Sequence, residues 1–150
     1  MKDHASLPPP DQADALATSL RTVISKLKRA MRAQAGRGDL STTQALVLLR
    51  LEREGSGSVS ELARAEGIRT QSMGTAIAPL ETMGFIAGAP DPADGRRTIL
   101  RLTQAGRSWI ERARSARQDW LSKTLRARLS PAEQAQLTSA VALLERLVDE

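Results

Sequence analysis

The stretch SVSELARAEGIRTQSMGTAIAPLETMG, running from Ser58 to Gly84, decides the fold. Its opening Ser58-Val59-Ser60-Glu61 is a reciprocal capping box: the serine hydroxyl takes a free helix amide while the glutamate reaches back to the serine N–H. A short helix follows, Glu61 to Glu66, and Gly67 stands where a left-handed residue is needed to end it. Ile68 and Arg69 turn the chain into a second helix, which stops at Gly84. That helix places Met73, Ile77 and Leu80 on one face and Gln71, Ser72 and Thr75 on the other. The second face is polar but uncharged, in a chain carrying 22 Lys and Arg. Pro79 interrupts the helix near its end. A capped short helix, a glycine turn and a second helix together form a helix-turn-helix pattern.

Downstream, Phe85-Ile86-Ala87 is strand-like, Asp91-Pro92-Ala93-Asp94-Gly95 is turn-rich, and Thr98 to Leu102 is strand-like again. These predict a two-stranded hairpin whose tip carries Arg96 and Arg97, the wing of a winged helix. Upstream, Leu40-Ser41-Thr42-Thr43-Gln44 holds another capping box and opens a helix through Leu46, Val47, Leu49 and Leu51 to Gly55.

The ends of the chain are amphipathic. Residues 1–10, which finish in three prolines, are expected to form a flexible arm. Leu16, Leu20, Val23, Leu27 and Met31 then recur at steps of three and four, predicting a helix that ends near Gly36 and Gly38. Lys26, Lys28, Arg29 and Arg32 cluster in its last turns, where they complement the helix dipole as a solvated end. Thr103 caps a long helix with Trp109, Ala113, Ala116 and Trp120 on one face. Ser130-Pro131-Ala132-Glu133 opens the last helix, which carries Leu137, Val141, Leu144 and Val148. The terminal stripes are too apolar for one small lobe to cover, and a two-fold dimer would bury them; packing inside a monomeric bundle is the alternative. The expected organisation is a dimerisation helix over 11–39, a winged helix-turn-helix over 40–107 and C-terminal dimerisation helices over 108–150. The fold class is mainly α with a small β-hairpin wing.

Composition narrows the chemistry. At 150 residues, 41% hydrophobic and 26% charged, the chain can bury a core as one domain or two small lobes. A net charge of +5 favours anionic partners. Cysteine is absent, so disulfides and thiolate chemistry are excluded, which fits a reducing compartment. The single histidine, His4, lies in the N-terminal arm, leaving nothing from which to build a zinc site or a Ser-His triad. No glycine-rich phosphate loop follows a strand. No enzyme, metal or cofactor is therefore expected. No apolar run approaches the ~20 residues that span a bilayer, and the N-terminus lacks a secretory apolar segment, so no membrane partner is expected and the cytoplasm is the expected location.

The uncharged helix face finds its use against duplex DNA. The major groove admits one α-helix; glutamine can bond adenine bidentately, while serine and threonine donate or accept and threonine offers a methyl to thymine. Gln71, Ser72 and Thr75 lie in the first turns, beside Thr70. Phosphate contacts can come from the helix amides, from Arg69 and from the wing. Arg96 or Arg97 can enter the minor groove while the other bonds phosphate or pairs with Asp94 to stiffen the loop.

The combination of Leu40-Ser41-Thr42-Thr43-Gln44, Glu61-Leu62-Ala63, Leu80-Glu81-x-x-Gly84, the wing Asp91-Pro92-Ala93-Asp94-Gly95-Arg96-Arg97 and Leu102-Thr103-x-x-Gly106-Arg107 resembles the MarR family of bacterial transcriptional regulators. The likeness covers nearly the whole chain, and the wing followed by Leu-Thr-x-x-Gly is its most specific part. It implies a homodimeric winged-helix repressor or activator, intertwined through its first and last helices, with Arg96 matching the minor-groove residue and Asp94 the wing aspartate. It also implies a small anionic or phenolic inducer held between the dimer region and the winged helix, whose binding releases a palindromic operator. The chain departs from many relatives by being neutral near Thr75, where they are basic, and by Pro79. A winged-helix dimer serving as a protein-interaction scaffold, with weak or no specific DNA binding, is the competing reading.

Overall fold

The computed structural model describes residues 11–34 and 40–149; the arm at 1–10 and the glycines Gly36 and Gly38 lie outside them. Six helices and three short strands follow one another: α1 (Gln12–Gln34), α2 (Thr42–Glu54), β1 (Gly57–Ser58), α3 (Val59–Glu66), α4 (Thr70–Thr82), β2 (Ile86–Pro90), β3 (Thr98–Leu102), α5 (Gln104–Arg128) and α6 (Pro131–Glu145).

Four of the six helix starts carry a side-chain cap. Ser41, Ser58 and Ser130 close reciprocal boxes with Gln44, Glu61 and Glu133, and Thr103 accepts the Gly106 N–H. Each cap satisfies helix donors that would otherwise be orphaned. Gly67 ends α3 at φ 66°, the left-handed conformation that costs glycine nothing.

The core lies in the middle of the chain. Val47, Leu48 and Leu51 from α2, Leu62 and Ala63 from α3, and Met73, Ile77 and Leu80 from α4 pack with Ile86, Leu100 and Leu102 of the strands and Ile110 of α5. Gly106 brings α5 against the turn before β2: a methyl there would collide with the Phe85 carbonyl oxygen and lie 2.9 Å from Leu102 Cδ2. Ile110 is buried on α5, whereas Trp109 is only partly so and tilts against Phe85 with ring centroids 6.2 Å apart.

The wing differs from a plain two-stranded hairpin. β3 pairs antiparallel with β2 from Ile86↔Leu102 to Pro90↔Thr98, and on its other edge with β1 through Gly57↔Leu100 and Ser58↔Ile99. The sheet therefore has three strands in the order β1-β3-β2. The extended backbone that Ser58 needs as a helix cap also serves as a strand residue, so capping and pairing share one short segment. β2 runs on to Pro90, a strand terminus that tolerates a missing N–H.

The chain's ends are apolar and uncovered. Leu16 is 66% exposed, Leu137 40%, Val141 44% and Val148 78%; Leu27 and Leu144 are exposed as well, and Leu20 is half-buried. No residue of α1 or α6 is buried. α5 continues unbroken through residue 107, joining the winged helix to the terminal helices by one rod.

Candidate nucleic-acid interface

Helix α4 presents the uncharged face outward. Thr70, Gln71, Ser72 and Thr75 are exposed, while Met73, Ile77 and Leu80 are buried on the opposite side. Gly74 faces open space. Arg69 occupies the N-cap position and makes no side-chain cap, so the first amides of α4 and an exposed guanidinium sit together at the positive end of the helix dipole. The Thr75 hydroxyl donates to the Gln71 carbonyl at 3.1 Å, which leaves its methyl and an acceptor lone pair for an outside partner.

The wing tip is a tightly bonded turn. Asp94 Oδ1 accepts the Arg96 N–H at 3.1 Å, the Asp94 carbonyl accepts the Arg97 N–H at 3.0 Å, and Asp91 N–H donates to the Arg97 carbonyl at 2.8 Å. Asp91 Oδ1 accepts the Ala93 N–H at 2.9 Å. Asp94 thus holds the turn through backbone amides, and neither arginine side chain pairs with it. Of the alternatives open from sequence, an arginine side chain pairing with Asp94 is the one not formed here: a short aspartate side chain folded onto its own turn satisfies the nearest N–H first.

The two arginines part company here. Arg97 donates to Glu61 Oε1 at 2.8 Å and to Ser58 Oγ at 3.1 Å, joining the wing turn to the start of α3. Glu61 is shared: its Oε2 accepts the Ser58 N–H at 2.8 Å while Oε1 takes the arginine. The Ser58 amide and then the Arg97 guanidinium hold the Glu61 carboxyl below its ordinary range, and the same pair raises Arg97. Arg96 is exposed, and its guanidinium has no partner among the described residues.

Two struts fix the winged helix internally and to α5. Arg50 bridges α2 to α3, meeting Glu66 at 2.9 Å and Glu54 at 2.8 Å. Arg114 of α5 forks onto Glu52 of α2 at 2.9 and 2.6 Å. The Arg114 hydrogen bonds hold Glu52 below its ordinary pKa.

A crevice of about 410 Å³ opens where α1, α2 and α5 meet. Lys28, Arg32, Ser41, Leu46, Trp109 and Arg117 are among its walls. Arg117 Nε is buried without a hydrogen-bond partner among the described residues. The basic cluster expected as a solvated helix end therefore contributes Lys28 and Arg32 to a concave site. Nothing in the spacing of α1 could show that, because the facing wall comes from helices far along the chain. No cluster of metal-binding side chains occurs among the described residues, and no helix there is long and apolar enough to cross a membrane.

A helix-turn-helix with a three-stranded wing and an exposed polar face on its second helix defines the winged-helix class of DNA-binding proteins. Residues 40–98 match the MarR family model. An HTH-type transcriptional regulator of Mycobacterium tuberculosis is 37% identical over 135 residues, covering 90% of this chain and 94% of that one. Among solved structures, a transcriptional regulator protein from Pseudomonas aeruginosa is similar at 32% identity and TM-score 0.77, over 91% of this chain and 96% of that one. A mutant MepR of S. aureus, solved bound to an oligodeoxyribonucleotide, shares the fold at TM-score 0.70 and 20% identity, over 89% of this chain and 98% of that one. The chain belongs to the MarR family and is a DNA-binding transcriptional regulator rather than an enzyme.

Proposed function

We propose that this regulator is a cytoplasmic homodimeric repressor that reads a palindromic operator in double-stranded DNA and releases it when a small anionic or phenolic molecule binds. The observation that carries the reading is the pairing of an exposed, uncharged reading turn, Gln71 to Thr75, with an unpartnered guanidinium at the wing tip, Arg96. Bases are read by hydrogen bonds and methyl contacts, whereas phosphates and a narrow minor groove are sought by cations; the two surfaces supply one of each. Arg69 and the α4 amides add phosphate contacts beside the reading turn. Arg97, paired with Glu61, holds the wing in place beside that face.

Dimerisation through α1 and α6 is supported by the uncovered Leu16, Leu20, Leu27, Leu137, Val141, Leu144 and Val148. At ~25 cal/mol per Å² of apolar area, leaving such stripes in water forfeits several kcal/mol, and a two-fold partner removes that cost. The crevice supports the inducer: Lys28, Arg32 and the buried Arg117 Nε offer positive charge and an unused donor, and Trp109 offers an aromatic wall.

Selection of bound sequences from a random duplex pool, followed by footprinting with the full chain, tests the reading. Two protected half-sites about one helical turn apart support it. The scaffold alternative draws on the neutral α4 and the engaged Arg97; it predicts no enriched sequence and no footprint.

A further inference from the structure

Gln44 and Ser58 are the two buried polar side chains among the described residues. Gln44 belongs to the capping box of α2: Oε1 accepts the Ser41 N–H at 2.8 Å, and its own N–H donates to Ser41 Oγ at 3.2 Å. The other end of the carboxamide points elsewhere. Nε2 donates to the Ala76 carbonyl of α4 at 3.1 Å, 32 residues away. The orientation is forced, because one neighbour is an N–H donor and the other a carbonyl acceptor, and the amide has one end for each.

Capping needs only the acceptor. The boxes at Ser58 and Ser130 use glutamate in the same position, and neither glutamate supplies a donor. Glutamine at 44 adds a buried N–H that requires a partner, and α4 provides it. The place is notable for a second reason. Pro79 lacks an N–H, so the Thr75 carbonyl, adjacent to Ala76, has no helical donor, and the proline ring crowds it. Gln44 therefore grips α4 beside its weakest backbone position, at the residue that follows Thr75 and one turn beyond Ser72.

We infer that Gln44 is a positioning residue for DNA reading, whose carboxamide fixes the reading turn of α4 against α2 where Pro79 leaves that helix short of a hydrogen bond. The inference rests on α4 being the helix that reads DNA. Glutamate at 44 keeps the acceptor for Ser41 but removes the donor to Ala76; methionine removes both; Ser41→Ala weakens the cap and leaves the donor.

The test measures the affinity of the full chain for a duplex enriched by selection and for a scrambled duplex of equal length. Helix content and dimer mass are checked for each variant. Gln44→Glu and Gln44→Met are expected to lower the ratio of the two affinities tenfold or more, while Ser41→Ala keeps it within twofold. In a Pro79→Ala host, where the helix holds itself, Gln44→Met should cost less than threefold. A wild-type ratio in both Gln44 variants overturns the inference, as does an undiminished loss in the Pro79→Ala host. Should Gln44→Met fold only in that host, the ratio measured there decides: retained preference supports the brace and lost preference contradicts it. A wild-type chain that enriches no sequence sinks the functional proposal instead, so the two failures are separable.

Discussion

Arg96 projects from the wing with no partner among the described residues, while Arg97 donates to Glu61 and Ser58. Different roles for the two were expected from sequence, but which arginine takes which was left open there, because sequence shows two cations at one tip and not the α3 carboxylate that meets Arg97. Arg96→Ala is expected to weaken DNA binding tenfold or more, roughly the 2 kcal/mol of a charge-assisted contact, with the dimer intact. It should also reduce the slope of log affinity against log salt by about one. Arg97→Ala should leave that slope unchanged, because its guanidinium is already engaged by Glu61; binding isotherms at several salt concentrations check both. Gly106 offers a second test at this scale. Alanine normally gains about 1 kcal/mol over glycine inside a helix, yet here its methyl meets the Phe85 carbonyl. Gly106→Ala should therefore lower the thermal midpoint, and an unchanged or raised midpoint would contradict the close packing of α5 on the turn before β2.

At the scale of elements, capping was the clearest message in the sequence. The pairs Ser41–Gln44, Ser58–Glu61 and Ser130–Glu133 announce three helix starts, and all three boxes close. What local pattern could not convey is their second employment. Ser58 caps α3 and also pairs in β1, a strand of two residues and too short to show any period. Glu61 caps α3 and also anchors Arg97; Gln44 caps α2 and also grips α4. In each case the added partner lies tens of residues away, so only the assembled core reveals it. Ser41→Ala should cost about 1 kcal/mol of stability by chemical denaturation. The carboxylates also set a pH dependence. Glu61, Glu52 and Glu133 are all held below the ordinary glutamate value of 4.5, through the Ser58 amide and Arg97, through Arg114, and through the Ser130 amide respectively. Folding favours their charged forms, so this stabilisation is complete above the ordinary carboxylate range and is lost as pH falls through the lowered values. Denaturation midpoints should fall below about pH 4.5, and Glu61→Gln should flatten part of that decline.

Across the whole molecule, one core holds the winged helix while α1 and α6 carry apolar stripes outside it. Periodicity made those stripes legible; under the proposed function a second copy covers them, which no single sequence pattern displays. Leu144→Asp is expected to shift the protein from dimer to monomer in sedimentation and to weaken operator binding together with it, because two linked half-site contacts become one. The single rod of α5 is forked onto α2 by Arg114–Glu52, so in the proposed dimer the distance between the two α4 helices would depend on how the ends clasp. The most direct measurement is a titration of the full chain against its selected duplex over a range of salt. Affinity that falls steeply with salt, at two chains per duplex, is the expected result; affinity indifferent to salt, or equal for selected and scrambled duplexes, would contradict a groove-reading dimer.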